Sequence, residues 1–347
     1  MNTPHGVGYF VDSAGTILFN NQFEKVYSFS EGLAPVKQNG KWGFINTKGE
    51  LVIPCIYDFA WEFSDGLARV EQNGKYGFIN TKGDVVIPCI HDYMVLFSEG
   101  LAAVKQNGKL GYTNTKGDVV IPCIYDYAGN FHEGLACVQQ NGKYGYINTK
   151  GEVVIPCIYD DAEKFSKGLA KVEQNGKWGF INTKGEQVIP CIYDGAGEFS
   201  EGLARVEQNG KWGFINTKGE QVIPCIYDST LHFSEGLAKV KQNGKYGYIN
   251  TKGELVIPCI YDGAWSFSEG LACVEQNGKE GFINTKEEQV IPCIYDYAMS
   301  FSEGLAHVEQ NGKHSVINTE GKIIVAECDW LDTRWSKSRN GIAPPST

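Results

Sequence analysis

The sequence is dominated by an internal repeat of constant length. The tripeptide Gly-Leu-Ala begins nine times, each time 34 residues after the last, at Gly32, Gly66, Gly100, Gly134, Gly168, Gly202, Gly236, Gly270 and Gly304. A unit this short cannot bury a core alone and becomes stable by stacking on its neighbours. The period therefore predicts one tandem array, rather than the two domains that a length of 347 residues would suggest.

The unit at 66–99 begins with a hairpin signal. Leu67–Gln72 and Lys75–Asn80 alternate between two faces, as strands do. Asn73-Gly74 lies between them, and this dipeptide is typical of a type I′ turn, which needs positive φ at both central residues. We therefore predict two antiparallel strands joined by a two-residue turn.

A third strand is predicted at 84–90, where β-branched residues follow Thr81-Lys82-Gly83. Gly83 is expected in the left-handed conformation that closes this second turn. Pro88 has no N–H, so we place it at a sheet edge or a bulge. The segment 91–99 connects to the next unit, and its pattern allows either a short fourth strand or one helical turn.

Repeated charges exclude a simple parallel β-helix. Lysine recurs at the place of Lys41 and Lys75 in every unit, and one coil per repeat would stack these charges about 4.8 Å apart. Meanders of three strands separate them by about 14 Å, beyond the Debye length of about 8 Å. We predict an all-β fold of tandem 34-residue antiparallel three-stranded meanders, stacked in an open superhelical, solenoid-like array. A closed β-propeller is the alternative.

Both ends of the chain depart from the repeat. Residues 1–31 align with drifted copies of strands two and three, and 314–330 hold a last drifted pair of strands. The resulting ten copies of the second strand, against nine of the first, favour an open array, because closed rings usually hold whole blades. We predict terminal caps at 1–31 and 314–330, a repeat array at 32–313 and a tail at 331–347.

The unit resembles the bacterial WG-repeat, or KWG-repeat, family. The matching residues are Gly-Leu-Ala, Asn39-Gly40-Lys41-Trp42-Gly43, Val-Ile-Pro and Tyr57-Asp58, and the Trp-Gly pair recurs at Trp178 and Trp212. Tyrosine, leucine, glutamate or histidine takes the tryptophan position in other units, and Ser315 replaces the glycine in the last. The resemblance implies β repeats and an interaction role, without a defined activity.

Composition and motifs exclude several functions. A net charge of −10 argues against nucleic acid binding. The sequence has no apolar run of 18 residues, so no membrane span is expected, and no signal peptide is visible. Eight of eleven cysteines share one repeat position without a CxxC pair, which indicates reduced, packed thiols and a cytoplasmic location. No catalytic or nucleotide-binding motif appears, so we predict no enzyme, cofactor or metal.

Two repeated features have both a structural and a functional interpretation. The Tyr-Asp pairs, such as Tyr57-Asp58, could form a calcium or catalytic row, but a role in capping the connector is favoured because a catalyst needs one unique cluster. The aromatic residues at the tryptophan position either pack between units or stack on sugar rings. Glu280 and His314 at that position suggest that this face becomes exposed towards the C-terminus.

The connectors vary most between units, and variable surfaces on a uniform scaffold are where repeat proteins recognise ligands. Six large apolar residues stand among polar alternatives there, and they form the predicted interface: Trp61, Met94, Leu96, Leu231, Trp265 and Met299. We predict a non-enzymatic scaffold that binds a protein partner through these connectors. The alternative is a carbohydrate or cell-wall binding module that uses the aromatic row.

Overall fold

The computed structural model describes residues 8–11 and 17–328, with side chains described from Phe23 to Val325. All regular elements among these residues are strands, and the strands recur with the period of the sequence. The predicted all-β fold of tandem meanders is therefore confirmed. The predicted tail, 331–347, lies outside the described residues.

The strand bounds fall into four classes. The first strands are Leu33–Gln38, Leu67–Gln72, Leu101–Gln106, Leu135–Gln140, Leu169–Gln174, Leu203–Gln208, Leu237–Gln242, Leu271–Gln276 and Leu305–Gln310. The second strands are Lys41–Asn46, Lys75–Asn80, Lys109–Asn114, Lys143–Asn148, Lys177–Asn182, Lys211–Asn216, Lys245–Asn250, Lys279–Asn284 and Lys313–Asn318. The third strands are Leu51–Tyr57, Val85–His91, Val119–Tyr125, Val153–Tyr159, Gln187–Tyr193, Gln221–Tyr227, Leu255–Tyr261, Gln289–Tyr295 and Ile323–Cys328. The connector strands are Lys25–Val26, Phe59–Ser64, Tyr127–His132, Asp161–Ala162, Gly195–Ser200, Ser229–Thr230, Gly263–Ala264 and Tyr297–Ala298. Gly8–Val11 and Ile17–Phe23 pair near the N-terminus, where the sequence places drifted copies of strands two and three.

The connector is a fourth strand and not a helical turn. It pairs antiparallel with the first strand of the repeat that follows it, so each sheet has the order connector, first, second, third. We number the sheets by repeat, so that the second sheet starts with Phe59–Ser64 and the sixth with Gly195–Ser200. In the third sheet the connector makes only isolated bridges, and three strands remain. Connector and third strands are thus the two edges of a sheet.

The turns have the predicted conformations. Asn73 and Gly74 have φ of 55° and 71°, as a type I′ turn requires, and Gly83 has φ of 86°. The turn between connector and first strand is a further two-residue turn with positive φ, formed in the first sheet by Glu31 and Gly32. Glutamate is strained in this region of φ, so its recurrence there needs a reason.

That reason is a hydrogen bond to the next repeat. The Glu31 carboxylate accepts the N–H of Gly66, 2.9 Å away. The same bond recurs at Glu99–Gly134, Glu133–Gly168, Glu201–Gly236, Glu235–Gly270 and Glu269–Gly304. The strained turn therefore places a carboxylate where it holds the neighbouring turn.

The glycine after the tryptophan position is required by a bulge in the third strand. In the first sheet, residues 54–56 of the third strand lie opposite Gly43 alone. A Cβ on Gly43 would lie 2.4 Å from the carbonyl oxygen of Ile53. Pro54 lies within this bulge and on an edge strand, as predicted for the proline of the repeat.

In the last repeat, where the glycine is replaced, the bulge is smaller. Ser315 takes the glycine position, and the register leaves two residues, 326–327, opposite it instead of three. A shorter bulge therefore accompanies the one repeat with a side chain at this position.

The described residues form two compact units. One contains the residues up to Val172 together with Asn182–Glu186, and the other contains Glu173–Ile181 and the residues from Gln187 onward. No described sheet closes into a barrel, and within each unit the tandem sheets fit the open, solenoid-like array that the sequence predicts.

Neighbouring sheets are joined by one recurring aromatic pair. The ring of Phe44 in a second strand packs on Phe63 in the connector of the next sheet, with centroids 4.9 Å apart. Equivalent pairs are Phe78–Phe97, Tyr112–Phe131, Tyr146–Phe165, Phe180–Phe199, Phe214–Phe233, Tyr248–Phe267 and Phe282–Phe301. Each sheet thus buries its apolar face on its sequence neighbour.

Candidate functional site

The aspartates of the Tyr-Asp pairs connect neighbouring repeats. The Asp58 carboxylate pairs with Lys41 and also accepts the N–H of Asn73 in the next hairpin, 2.6 Å away. The Lys41 ammonium and the Asn73 N–H hold the pKa of Asp58 below its usual range. The same arrangement surrounds Asp194 and Asp296. These contacts support a structural role, but the aspartate caps the hairpin turn of the next repeat and not the connector as predicted. Eight of the repeated lysines pair with an aspartate in this way.

The aromatic residues at the tryptophan position pack between sheets. Trp42 is only 2% exposed and stacks on Tyr27, with ring centroids 5.1 Å apart. It also contacts Phe59 of the next connector at 5.1 Å. Five other rings in the row are partly buried: Tyr76, Tyr144, Trp178, Trp212 and Tyr246. Trp42 therefore offers no open ring face to a sugar, whereas the other five rings keep part of their surface exposed.

The expected exposure at Glu280 is wrong. Glu280 is 8% exposed, and its carboxylate accepts the N–H of Ala298 in the next connector. The Cys273 thiol lies 3.8 Å from the same carboxylate. Burial raises the pKa of Glu280, with Glu275 adding to the effect. A carboxyl group therefore fills the space between two sheets that an aromatic ring fills elsewhere.

Glu280 gives a testable pH dependence. Because its folded-state pKa is raised, its stabilising contribution is complete below the ordinary glutamate pKa and is lost as the pH rises through the folded value. We expect Glu280→Gln to be more stable than the wild type at pH 8, with the difference vanishing towards pH 4. Urea unfolding across this range measures it. The exposed Glu62→Gln is the matched control, and equal pH dependence in both variants would contradict the prediction.

The six residues of the predicted interface lie in different environments. Leu96 and Trp265 are 47% and 39% exposed. Trp61, Leu231 and Met299 are partly buried. Met94 is 1% exposed and packs in the core with other buried side chains. It therefore takes the inward-facing connector position that Ala60 takes one repeat earlier, and its side chain is not on a surface that a partner could contact.

One position of the first strand lies beside the connectors of its own and of the next sheet. We call the surface that these side chains share the groove between adjacent sheets. Arg69 donates to the carbonyl oxygen of Met94 in the next connector, 2.7 Å away, and its guanidinium carbon lies 3.8 Å from the Trp61 ring centroid. Equivalent bonds to the next connector come from Arg205 at 2.7 Å and Lys239 at 2.8 Å. These cations tie one sheet to the next and line the groove with the connector side chains.

This first-strand position was missed because its neighbours barely change. A signal was present in the sequence, since the nine residues there differ widely: Pro35, Arg69, Ala103, Cys137, Lys171, Arg205, Lys239, Cys273 and His307. The residues at 35, 103, 137 and 273 are buried, so this position adds to the variable groove surface only in the repeats that have arginine, lysine or histidine here.

The large exposed apolar residues divide into two groups. One group belongs to the connectors and differs from repeat to repeat: Tyr27, Tyr93, Leu96, Tyr127, Trp265 and Tyr297. The other lies on the third strands and repeats with little change: Leu51, Val52, Ile56, Val85, Ile90, Val119, Val120, Ile124, Val153, Val154, Ile158, Ile192, Val222, Ile226, Leu255, Ile260, Val290, Ile294, Ile323, Ile324 and Val325. The proline bulge interrupts that edge and discourages pairing with another chain. Only the connector group distinguishes one repeat from another.

Within residues 8–11 and 17–328, no group of histidine, cysteine and acidic side chains could hold a metal ion. In the same residues, no helix is long and apolar enough to cross a membrane. Burial raises the pKa of the Cys137 thiol to about 12 and that of Cys55 to a lesser extent. These thiols are therefore poor nucleophiles at neutral pH.

Comparison with known families gives one result. The model of the WG containing repeat matches nine consecutive segments, at residues 10–42, 42–76, 76–109, 111–144, 144–178, 178–212, 212–246, 246–279 and 281–313. No match was found among curated proteins.

Several solved structures are similar in part. A eukaryotic initiation factor shares 12% identity, with 84% of this chain and 94% of that one covered, at a TM-score of 0.48. Hsv2 of Kluyveromyces lactis shares 12% identity, with 65% of this chain and 90% of that one covered, at a TM-score of 0.34. The extracellular domain of a hybrid two-component system from B. thetaiotaomicron shares 12% identity, with 92% of this chain and 53% of that one covered, at a TM-score of 0.26. These scores are too low to support an argument about function.

Proposed function

We propose that this chain, which belongs to the WG containing repeat family, is a non-enzymatic scaffold that binds a protein partner through the grooves between its sheets. The observation that carries the proposal is the separation of roles among the side chains. Repeated residues hold the sheets together, whereas the exposed apolar residues that vary between repeats lie in the connectors.

The chemistry of the grooves suits a protein surface. Tyrosine, tryptophan and arginine dominate binding energy at protein interfaces because they bury large areas with few rotatable bonds. Tyr127, Trp265 and Tyr297 are each more than a third exposed. In two other sheets, the second and the sixth, Arg69 and Arg205 reach the next connector from the first strand. Hydrogen bonds and aromatic pairs already hold the neighbouring sheets together, so we expect little ordering of the backbone on binding.

A carbohydrate partner is less well supported. That alternative requires exposed ring faces at the tryptophan position, and Trp42 is 2% exposed. An enzymatic role would need a unique and accessible cluster of acid, base or nucleophile. The lysine–aspartate pairs recur from sheet to sheet, and Glu280 and Cys273, which do not, are both buried.

Capture from an extract of the organism of origin tests the proposal. The full chain serves as bait, and bound proteins are identified by mass spectrometry. We expect Trp265→Ser and Tyr297→Ser to weaken binding of the captured protein, each by about 30-fold for a hot-spot loss of about 2 kcal/mol. The matched control is Ile226→Ser, which changes a side chain that is 48% exposed on a third strand.

The outcomes separate the two apolar surfaces. Retained binding in Ile226→Ser with loss in the connector variants supports the proposal. Loss in Ile226→Ser alone would assign binding to the third-strand edge instead. Binding to a glycan array, with no captured protein, would favour the carbohydrate alternative.

A further inference from the structure

The sixth sheet lacks side chains that its counterparts have in the groove. Gly195 and Gly197 occupy two connector positions of this sheet. The residues equivalent to Gly197 in the other connectors are Tyr27, Trp61, Val95, Gly129, Glu163, Leu231, Trp265 and Met299. The glycine at 129 is covered, because a Cβ there would lie 3.3 Å from the Tyr127 hydroxyl. Gly195 provides no such cover for Gly197.

The second sheet shows what normally occupies this place. There the indole of Trp61 lies on the Arg69 guanidinium, 3.8 Å from ring centroid to carbon, while Arg69 is anchored to the next connector. The sixth sheet keeps the anchored cation, since Arg205 donates to the carbonyl oxygen of Thr230 at 2.7 Å. Trp212 lies near this cation as Tyr76 lies near Arg69, but glycine stands at the position from which Trp61 covers Arg69.

A cavity of about 370 Å³ opens at this point. Its lining residues are Gly197, Glu198, Phe199, Ser200, Arg205 and His232. The Arg205 side chain lies along the Gly197 backbone, with its Cγ and Nε 2.8 Å from the place of a Cβ, and its guanidinium carbon is 4.9 Å from the Trp212 ring centroid. The size is at the lower end for small-ligand pockets, about 300 Å³.

We propose that this cavity receives an aromatic side chain, tryptophan or tyrosine, from the bound partner. The partner's ring lies on the Arg205 guanidinium in the way that the ring of Trp61, from the same chain, lies on the Arg69 guanidinium. A cationic guanidinium attracts the face of such a ring, and the Glu198 carboxylate in the lining can accept an indole N–H or a phenol O–H. The inference rests on the proposed function, because it names the partner group that one groove recognises.

A model compound tests the cavity without the partner. N-acetyl-L-tryptophanamide is titrated into the full chain, and its binding is followed by ligand-detected saturation-transfer NMR. We expect saturable binding with a Kd on the order of 1 mM, as suits a single side chain. Gly197→Trp displaces Arg205, whose Cγ and Nε lie 2.8 Å from the place of the new Cβ, and puts its own ring in the cavity. It should reduce the saturation-transfer signal at least fivefold.

The second sheet supplies a gain-of-function control. Trp61→Gly removes the ring from Arg69, and Phe59→Gly removes the neighbouring ring, 4.3 Å away, that could cover the gap as Tyr127 covers Gly129. The double variant should create an equivalent cavity, so the signal at saturation should rise about twofold. Arg205→Met keeps the length of the side chain but removes the cation, and should weaken binding about tenfold. Circular dichroism and thermal melting confirm that each variant is folded.

The results distinguish this inference from the proposed function. Absence of saturable binding in the folded wild type, or equal binding in Gly197→Trp, would overturn the aromatic cavity. If the captured partner then still binds in a connector-dependent way, the scaffold function stands alone. Loss of partner binding in Gly197→Trp, together with saturable binding of the model compound to the wild type, supports both.

Discussion

Replacing Gly213 by alanine is expected to destabilise the sixth sheet by about 3 kcal/mol or more, the upper range for overpacked sites. Gly213 follows Trp212 in the second strand and faces the bulge of the third strand. An added Cβ would lie 2.4 Å from the Ile223 carbonyl oxygen, 2.6 Å from the Pro224 carbonyl carbon and 2.7 Å from the Cys225 nitrogen. All three are backbone atoms of one strand, so no rotation of a side chain relieves the contact.

The last repeat provides the control at the same position. Ser315 lies opposite a bulge that is one residue shorter, so Ser315→Ala should change the free energy of unfolding by less than about 0.5 kcal/mol. Local hydrogen exchange is the suitable measurement, because it reports the opening of each sheet separately. Amides of 203–227 should exchange more than about 100-fold faster in Gly213→Ala. Equal exchange in the two variants would show that the bulge moves freely.

Much of the fold could be predicted because its signals are local. The Asn-Gly turns, the left-handed Gly83 and the exact strand bounds of Leu67–Gln72 follow from alternation and turn chemistry within a few residues. Pro88 could be assigned to an edge or a bulge because it lacks an N–H. The resemblance to the WG-repeat family also predicted β repeats.

What could not be predicted depends on distances between strands or between sheets. The need for glycine at Gly213 arises from the register that sets three residues against one, which no periodicity encodes. Glu280 was expected at an exposed face because a carboxylate is costly to bury; the N–H of Ala298, from the next connector, offsets that cost.

The environment of the candidate interface residues could be predicted only in part for the same reason. Sequence variation directs attention to the connectors, but it does not tell which side of a strand a residue faces when a bulge interrupts the alternation. Met94 follows the inward register of Ala60, whereas Leu96, two residues later, is exposed. The first-strand position of Arg205 enters the groove only through its bond to the next sheet.

The second large effect is expected from Phe233→Ala, at about 3–5 kcal/mol for a buried phenylalanine. Phe233 is 1% exposed, and its ring packs on Phe214 of the preceding sheet with centroids 4.8 Å apart. The exposed Tyr297→Ala removes an aromatic ring from another connector and is the matched control, expected to change stability by less than about 0.5 kcal/mol.

The location of the effect matters more than its size. Phe233 belongs to the connector of the seventh sheet but completes the apolar core against the sixth, in the same unit. If sheets are stable chiefly through their sequence neighbours, Phe233→Ala should accelerate exchange in both 203–227 and 237–261 and leave 305–318 protected. Faster exchange confined to 229–261 would mean that the sixth sheet is stable without that contact, and the repeat would then be a self-sufficient module. Exchange raised equally throughout 203–318 would instead indicate a unit that unfolds as one, in which a groove variant acts on every groove at once.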